Sequence, residues 1–329
     1  QHAELFLILA CVFGFFMAWG IGANDVANAM GTSVGSGAIT IKTAIVIAAI
    51  FEFAGAGIAG GHVTKTIRKG IVDPNLYTDQ VNIFVIGMMS ALLAGGTWLY
   101  IASLRGWPVS TTHSIVGAII GFAVVSIGFG GVMWPKVGKI IASWVISPVM
   151  GGVVSFVLFR FLTDQVFRRR NPLLYAKRLL PYMVFMVCVI LSNAMFYKGL
   201  KNIHLDFSFV QAMIYAITFG VVGFFISVMI VKKVPDVSKK EIHKQLESTE
   251  AIFKYLQILT AFYIAFAHGS NDVANAVGPL AAVVSILKDG TVAMKVAMQV
   301  PHVNTLSCLF CRLLRRSATP DLRNRKHVY

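Results

Sequence analysis

Charge is scarce in this chain. Of its 329 residues only 13% are Asp, Glu, Lys or Arg, about half the share typical of soluble domains. So small a charged complement cannot coat a soluble surface of this size, which excludes an ordinary cytosolic enzyme. A hydrophobic content of 57% excludes a disordered chain. Four cysteines (Cys11, Cys188, Cys308 and Cys311) form no disulfide framework, and Cys11 and Cys188 sit inside apolar runs as small hydrophobes. Missing too is a continuous basic face interleaved with stacking aromatics, so the formal net charge of +15 does not point to nucleic acid. What is abundant is apolar sequence. Mean hydropathy is +0.73, and a spanning helix needs about 20 apolar residues. The sequence reads as an all-α polytopic membrane protein.

Apolar stretches fall at roughly 4–21, 42–61, 81–104, 114–129, 138–163, 182–197, 207–231 and 252–267, with a weaker one at 276–287. Two segments read as soluble, His62 to Gln80 and Pro235 to Thr249; the second has mixed charge and reads as a solvated spacer or else as a cytoplasmic helix or linker. The run Leu5 to Ile21 lacks a basic flank and a small-residue cleavage site, so it does not read as a cleavable signal. Because the chain opens on Gln1 rather than Met, a trimmed start is expected.

The basic residues crowd between the apolar runs. Segment 160–178 carries six Lys or Arg, 198–206 carries two and 232–254 carries six. Such clusters mark cytoplasmic loops facing anionic lipid. Counting crossings from Arg160 then brings the run before residue 22 in from outside and the run before residue 269 in from inside, although Lys65, Arg68 and Lys69 fall in a loop this count places outside.

An internal repeat is the strongest signal. Gly22-Ala-Asn-Asp-Val-Ala-Asn-Ala-Met-Gly31 matches Gly269-Ser-Asn-Asp-Val-Ala-Asn-Ala-Val-Gly278 at eight of ten positions, 247 residues apart. Phe15 and Ala18 align upstream with Phe262 and Ala265. The repeated letters are Asn, Asp and Gly, which apolar composition does not supply by chance. Two homologous halves approached from opposite sides make an inverted repeat.

An aspartate at membrane depth costs a few kcal/mol. Asp25 and Asp272 each follow an apolar run and are flanked by asparagines. One reading is a cation site in which bound Na⁺ or H⁺ neutralises each carboxylate. Asn24, Asn28, Asn271 and Asn275 would add oxygens, and Gly22, Gly31, Gly269 and Gly278 would let the backbone unwind and free its carbonyls. The competing reading is simple helix capping, for which Asn and Asp are well suited. A second polar stretch, Pro108-Val-Ser110-Thr111-Thr112-His113-Ser114, puts hydroxyls at the start of a helix, a receptor for an oxyanion or merely a capped re-entrant helix. His113 reads as structural rather than as a proton relay. Glu52 stands alone in the run Phe51 to Ala56, either functional by its depth or paired with Lys42 or Arg68.

Taken together, the doubled motif, the setting of Glu52 and Pro108 to His113 resemble the inorganic phosphate transporter family, over about residues 4–300. The resemblance implies an inverted-repeat transporter with broken or re-entrant helices and a central site where the halves meet. It implies that Asn24, Asp25, Asn28, Asn271, Asp272 and Asn275 share Na⁺ and phosphate binding, with Asp25 and Asp272 as Na⁺ ligands. Ser110, Thr111 and Thr112 would donate to phosphate, and Glu52 would match an acidic residue needed for transport. The Val after Asp in both copies is more like the sodium-coupled branch than the proton-coupled one. Sulfate, proton coupling and a non-transporting remnant stay open as alternatives.

The family repeats its proline-serine-threonine-histidine motif in the second half, and this chain does not. After Gln299 the basic density rises and no apolar run follows. A frameshift or truncation near Gln299 to His302 is therefore expected, leaving the second repeat incomplete. Cys308, Cys311 and His302 lack a fourth ligand and do not read as a zinc site. The chain divides into a first repeat (1–163), basic loops with two spans and a linker (164–251), the start of the second repeat (252–299) and a basic tail unlike the family (300–329). The expected function is sodium-coupled symport of inorganic phosphate by a multi-pass protein of the inner or plasma membrane. It is not an enzyme and needs no cofactor. Its expected partners are phosphate, Na⁺ and the bilayer; a homodimer is compatible with this and nucleic acid is excluded.

Overall fold

The computed structural model describes residues 3–59, 71–199, 207–235 and 242–289. Within them the chain is helical: α1 (Ala3–Gly35), α2 (Ile41–Ala59), α3 (Val81–Leu104), α4 (Thr111–Ser126), α5 (Trp134–Leu162), α6 (Pro172–Ala194), α7 (Phe209–Lys233) and α8 (Ile242–Asp289). Among the described residues seven helices are long and apolar enough to cross a membrane, and α4 is too short. In lipid every backbone polar group must find an internal partner, which is why apolar runs of this length become helices. The fold is that of an integral, multi-pass membrane protein.

Several expected boundaries move. The runs at 252–267 and 276–287 are one helix, α8, which begins at Ile242 inside the segment read as a spacer and continues through Pro279. Glycines in the two motif copies do not unwind the backbone: α1 runs unbroken through Gly22 and Gly31, and α8 through Gly269 and Gly278. Their carbonyls stay in the helical ladder because a helix already satisfies them without help. The break in this part of the chain lies instead at 105–110, ahead of α4. Lys65, Arg68, Lys69 and the tail 300–329 lie outside the described residues.

The described residues form two compact units, one of residues 3–31, 45–59, 71–133 and 265–289 and one of residues 32–44, 134–199, 207–235 and 242–264. In the first, α1 packs on α3 through small residues. A side chain on Gly96 would press on Phe16, and one on Gly20 on Leu99, so glycine is what lets these helices approach closely. α2 and α8 cross closer still: a Cβ on Gly55 would overlap the Phe266 carbonyl, and one on Gly269 the Glu52 backbone. The α3–α4 hairpin packs Phe122 against Gly87. A short 3₁₀ turn, Pro74–Tyr77, seats Tyr77 between the rings of Phe84 and Phe122, while Val72 pairs with Val132.

In the second unit, α6 and α7 pack through Gly220 and Gly223 against Val189, Phe185 and Cys188. Leu173, Leu180, Val231 and Ile252 form its core. A capping box of Ser208 and Gln211 starts α7. Helix α5 leaves Phe156, Val157, Leu158 and Phe159 exposed, the composition of a lipid-facing span.

Candidate functional site

The turn before α4 is built by three sequence signals. Gly106 takes a left-handed φ of 67° at the end of α3, and Trp107 N–H closes the helix end on the Ala102 carbonyl at 2.8 Å. Pro108 then stops further winding. Ser110 caps α4, accepting from the His113 N–H at 3.3 Å. Its oxygen thus serves the helix, and His113 is exposed.

The next two hydroxyls point into the unit. Thr111 Oγ1 donates to Asp272 Oδ1 at 3.5 Å and Thr112 Oγ1 to the same oxygen at 3.3 Å. Asn275 Nδ2, one turn further along α8, donates to both hydroxyls at 3.2 and 3.0 Å. A buried Thr111 and Asn275, 2% and 0% exposed, tie the start of α4 to the second motif copy. Among the described residues the Asn275 Oδ1 atom is buried without a hydrogen-bond partner, which leaves an acceptor free within the cluster.

His268 organises the carboxylates. Its Nε2 lies 2.8 Å from Asp272 Oδ2 and 3.5 Å from Asp25 Oδ2, and its Nδ1 lies 3.2 Å from Glu52 Oε1. An imidazolium donates from both nitrogens and serves both sides; a neutral ring leaves one lone pair facing a carboxylate. Asp25 is 5% exposed, and its Oδ2 forms no hydrogen bond. Among the described residues, the ion pairs of Asp25, Glu52 and Asp272 all run to His268. Three carboxylates around one histidine make an acidic site. Ligand atoms of Asp25, His268 and Asp272 lie within 4.8 Å of one another, close enough to share one cation.

Of the residues singled out in the sequence, Asp25, Glu52, Thr111, Thr112, Asp272 and Asn275 come together here. The others stand apart. Ser110 is exposed and caps its helix, and Asn271 is exposed. Asn28 is exposed and donates to Asn24 Oδ1 at 3.3 Å, while Asn24 holds the turn at 107–109. Glu52 pairs with His268, not with Lys42, the described one of the two cations weighed as its alternative partners. His268 itself was not among the predicted residues. Its signal was present: it sits immediately before the second motif copy, where the first copy has the apolar Ile21. It also lies one turn before Asp272, the i,i+4 spacing at which helical side chains meet.

The profile of the phosphate transporter family matches residues 21–313. The chain belongs to the phosphate transporter family. A Haemophilus influenzae protein named "Putative phosphate permease" is 45% identical over 295 residues, covering 88% of this chain and 69% of that one. The "Inorganic phosphate transporter 2-1, chloroplastic" of Arabidopsis thaliana is 42% identical over 313 residues, and the chain spans 52% of its length. A solved structure described as "The sodium-dependent phosphate transporter" superposes with a TM-score of 0.84 at 40% identity, covering 94% of this chain and 74% of that one. The family and these relatives are phosphate transporters and permeases, not enzymes.

Proposed function

We propose that this protein is a sodium-coupled phosphate symporter of the cell membrane. One observation carries the reading: two threonine hydroxyls at the start of a helix meet the carboxylate and carboxamide of the second motif copy, with Asp25 of the first copy on the same histidine. Hydroxyls and first-turn N–H groups are donors for an oxyanion. Buried carboxylates are ligands for a hard cation.

Charge supplies the coupling. A phosphate dianion entering beside Asp25, Glu52 and Asp272 meets three carboxylates and one imidazole. In a site of low effective dielectric two like charges about 4 Å apart repel by several kcal/mol. Na⁺ bound at Asp25 and Asp272 removes that repulsion and releases the Thr111 and Thr112 hydroxyls from Asp272 to the anion. Neither substrate then occupies the site readily without the other, which is the thermodynamic content of symport. Residues 1–163 are read as the first repeat of an inverted pair and residues from 252 as the start of the second, with the site formed by their motifs.

A second reading, proton coupling, is favoured by His268, whose ring touches all three carboxylates. Uptake of radiolabelled phosphate into proteoliposomes separates the two. Accumulation driven by an inward Na⁺ gradient at equal pH on both sides supports sodium symport. Uptake driven by a pH gradient with K⁺ replacing Na⁺ supports the proton, and loss of uptake on adding excess sulfate would reassign the anion.

A further inference from the structure

Asn24 has no lone pair left for a ligand. Its Oδ1 accepts from the Val109 N–H at 3.3 Å and from Asn28 Nδ2 at 3.3 Å, and its Nδ2 donates to the Trp107 carbonyl at 2.9 Å. A carboxamide oxygen has two acceptor sites, and both are used. The side chain is 6% exposed. It therefore pairs with residues 107 and 109 as a neighbouring strand would, giving one acceptor and one donor to an extended stretch of backbone.

That stretch needs such a partner. Between the end of α3 at Leu104 and the start of α4 at Thr111 the helical ladder is interrupted, Pro108 brings no N–H, and Gly106 turns the chain through a left-handed φ. Away from water, each backbone group without a partner is costly. Asn24 satisfies two of them at once, and it does so from the residue next to Asp25. Thr111 and Thr112 follow Val109 by two and three residues. The clamp therefore fixes the position of the hydroxyls over Asp272 and Asn275.

We infer that Asn24 is a positioning residue for the phosphate-binding hydroxyls and not an ion ligand, with Asn28 holding its carboxamide in orientation. The repeat-equivalent Asn271 is exposed, so the same letter serves different purposes in the two copies. The inference rests on the phosphate-symport reading for its kinetic part, but the clamp itself is tested without transport.

The experiment compares the wild-type protein with Asn24→Ala and Asn24→Asp by hydrogen exchange of segment 105–112 in detergent or nanodiscs, with Na⁺ present, and by uptake kinetics. In Asn24→Ala the Val109 amide is expected to exchange faster. Asn24→Asp keeps that acceptor but sets a carboxylate against the Trp107 carbonyl; it is expected to retain Val109 protection and still bind phosphate poorly. In both, the phosphate KM is expected to rise about tenfold, the scale of one or two lost hydrogen bonds, with the half-saturating Na⁺ concentration unchanged. Unchanged exchange at 105–112 in Asn24→Ala overturns the clamp. Faster exchange with an unchanged phosphate KM, or a shift in Na⁺ affinity alone, overturns the positioning role. If Asn24→Ala does not fold, Asn24→Asp decides by kinetics: a raised phosphate KM with retained Val109 protection supports the positioning role, and an unchanged phosphate KM overturns it. Absence of phosphate uptake by the wild-type protein would overturn the symport reading while leaving the exchange measurement to judge the clamp.

Discussion

Asn275 donates to the Thr112 hydroxyl at 3.0 Å across 163 residues of sequence. This bond and its neighbour to Thr111 join the short helix α4 to the second motif copy, so the hydroxyls are held in a polar site before any anion arrives. Replacing Thr111 or Thr112 by Val keeps shape and removes one donor. Each variant is expected to raise the phosphate KM about tenfold, with a smaller change in the half-saturating Na⁺ concentration when phosphate is saturating. Uptake measured over a matrix of phosphate and Na⁺ concentrations checks this; a Na⁺ defect without a phosphate defect would remove the hydroxyls from the anion site.

Asp25 and Asp272 differ in a way that separates function from stability. Asp272 has His268 at 2.8 Å and two hydroxyl donors, whereas Asp25 Oδ2 is buried without a hydrogen bond. Neutralising a buried carboxylate that is poorly paired relieves repulsion, while removing one partner of a close pair leaves the other uncompensated. Both Asp25→Asn and Asp272→Asn are expected to abolish Na⁺-driven uptake. Asp25→Asn should keep or raise the thermal unfolding temperature, and Asp272→Asn should lower it. Thermal unfolding in detergent, run beside the uptake assay, tests the pair; Na⁺-driven uptake that survives in either variant removes that aspartate from the cation site.

How much of this was legible follows from the kind of signal each residue gives. Asp25, Asp272 and Asn275 announced themselves because polar letters repeated in an apolar chain are costly and hence informative. For Ser110 the local pattern Pro-Val-Ser-Thr-Thr allowed both a phosphate donor, as the family resemblance implied, and a helix cap, and the structure shows the cap. His268 was not, because its meaning lies in contacts with residues 216 and 243 positions away (Glu52 and Asp25) and its repeat partner is the apolar Ile21. Asn24 was legible as a polar residue of the motif but not by role, since only the folded turn shows that its amide is consumed. The unbroken course of α1 and α8 ran against the glycines, which permit unwinding and do not require it.

Glycine does have a required role at one crossing. A Cβ on Gly55 would overlap the Phe266 carbonyl oxygen, and one on Gly269 the Glu52 backbone. Backbone cannot rotate aside as a side chain can, so Gly55→Ala or Gly269→Ala must push α2 and α8 apart. Overpacking of this kind costs about 1–3 kcal/mol, and the separation also lengthens the Glu52–His268 contact. Gly121, with nothing near its missing Cβ, is the control, because Ala there gains helix propensity of up to about 1 kcal/mol. The expected order of unfolding temperature is Gly121→Ala at or above wild type and both crossing variants below it; equal stability of Gly55→Ala and wild type would contradict the close crossing.

Tyr77 tests whether the hairpin is held from its other end. Its ring is fully buried between Phe84 and Phe122, with centroids 5.1 and 5.5 Å away, and its hydroxyl lies 2.7 Å from Ser126 Oγ at the end of α4. Tyr77→Phe removes only the hydrogen bond and is expected to cost about 1 kcal/mol, whereas Tyr77→Ala empties the site and costs about 3–5 kcal/mol. Burial pushes the phenol above its ordinary value of 10.0, against the smaller opposing effect of the Ser126 bond. The folded state therefore holds this proton more tightly than the unfolded chain. By linkage the stability it contributes is complete below about pH 10 and is lost as pH rises through the folded value. Unfolding measured from pH 8 to 11 should show wild type losing stability more steeply than Tyr77→Phe at the alkaline end. Parallel curves would mean that burial does not hold the phenol proton; the Ser126 bond is judged separately, by the cost of Tyr77→Phe at neutral pH, and no cost there would remove it as an anchor of α4.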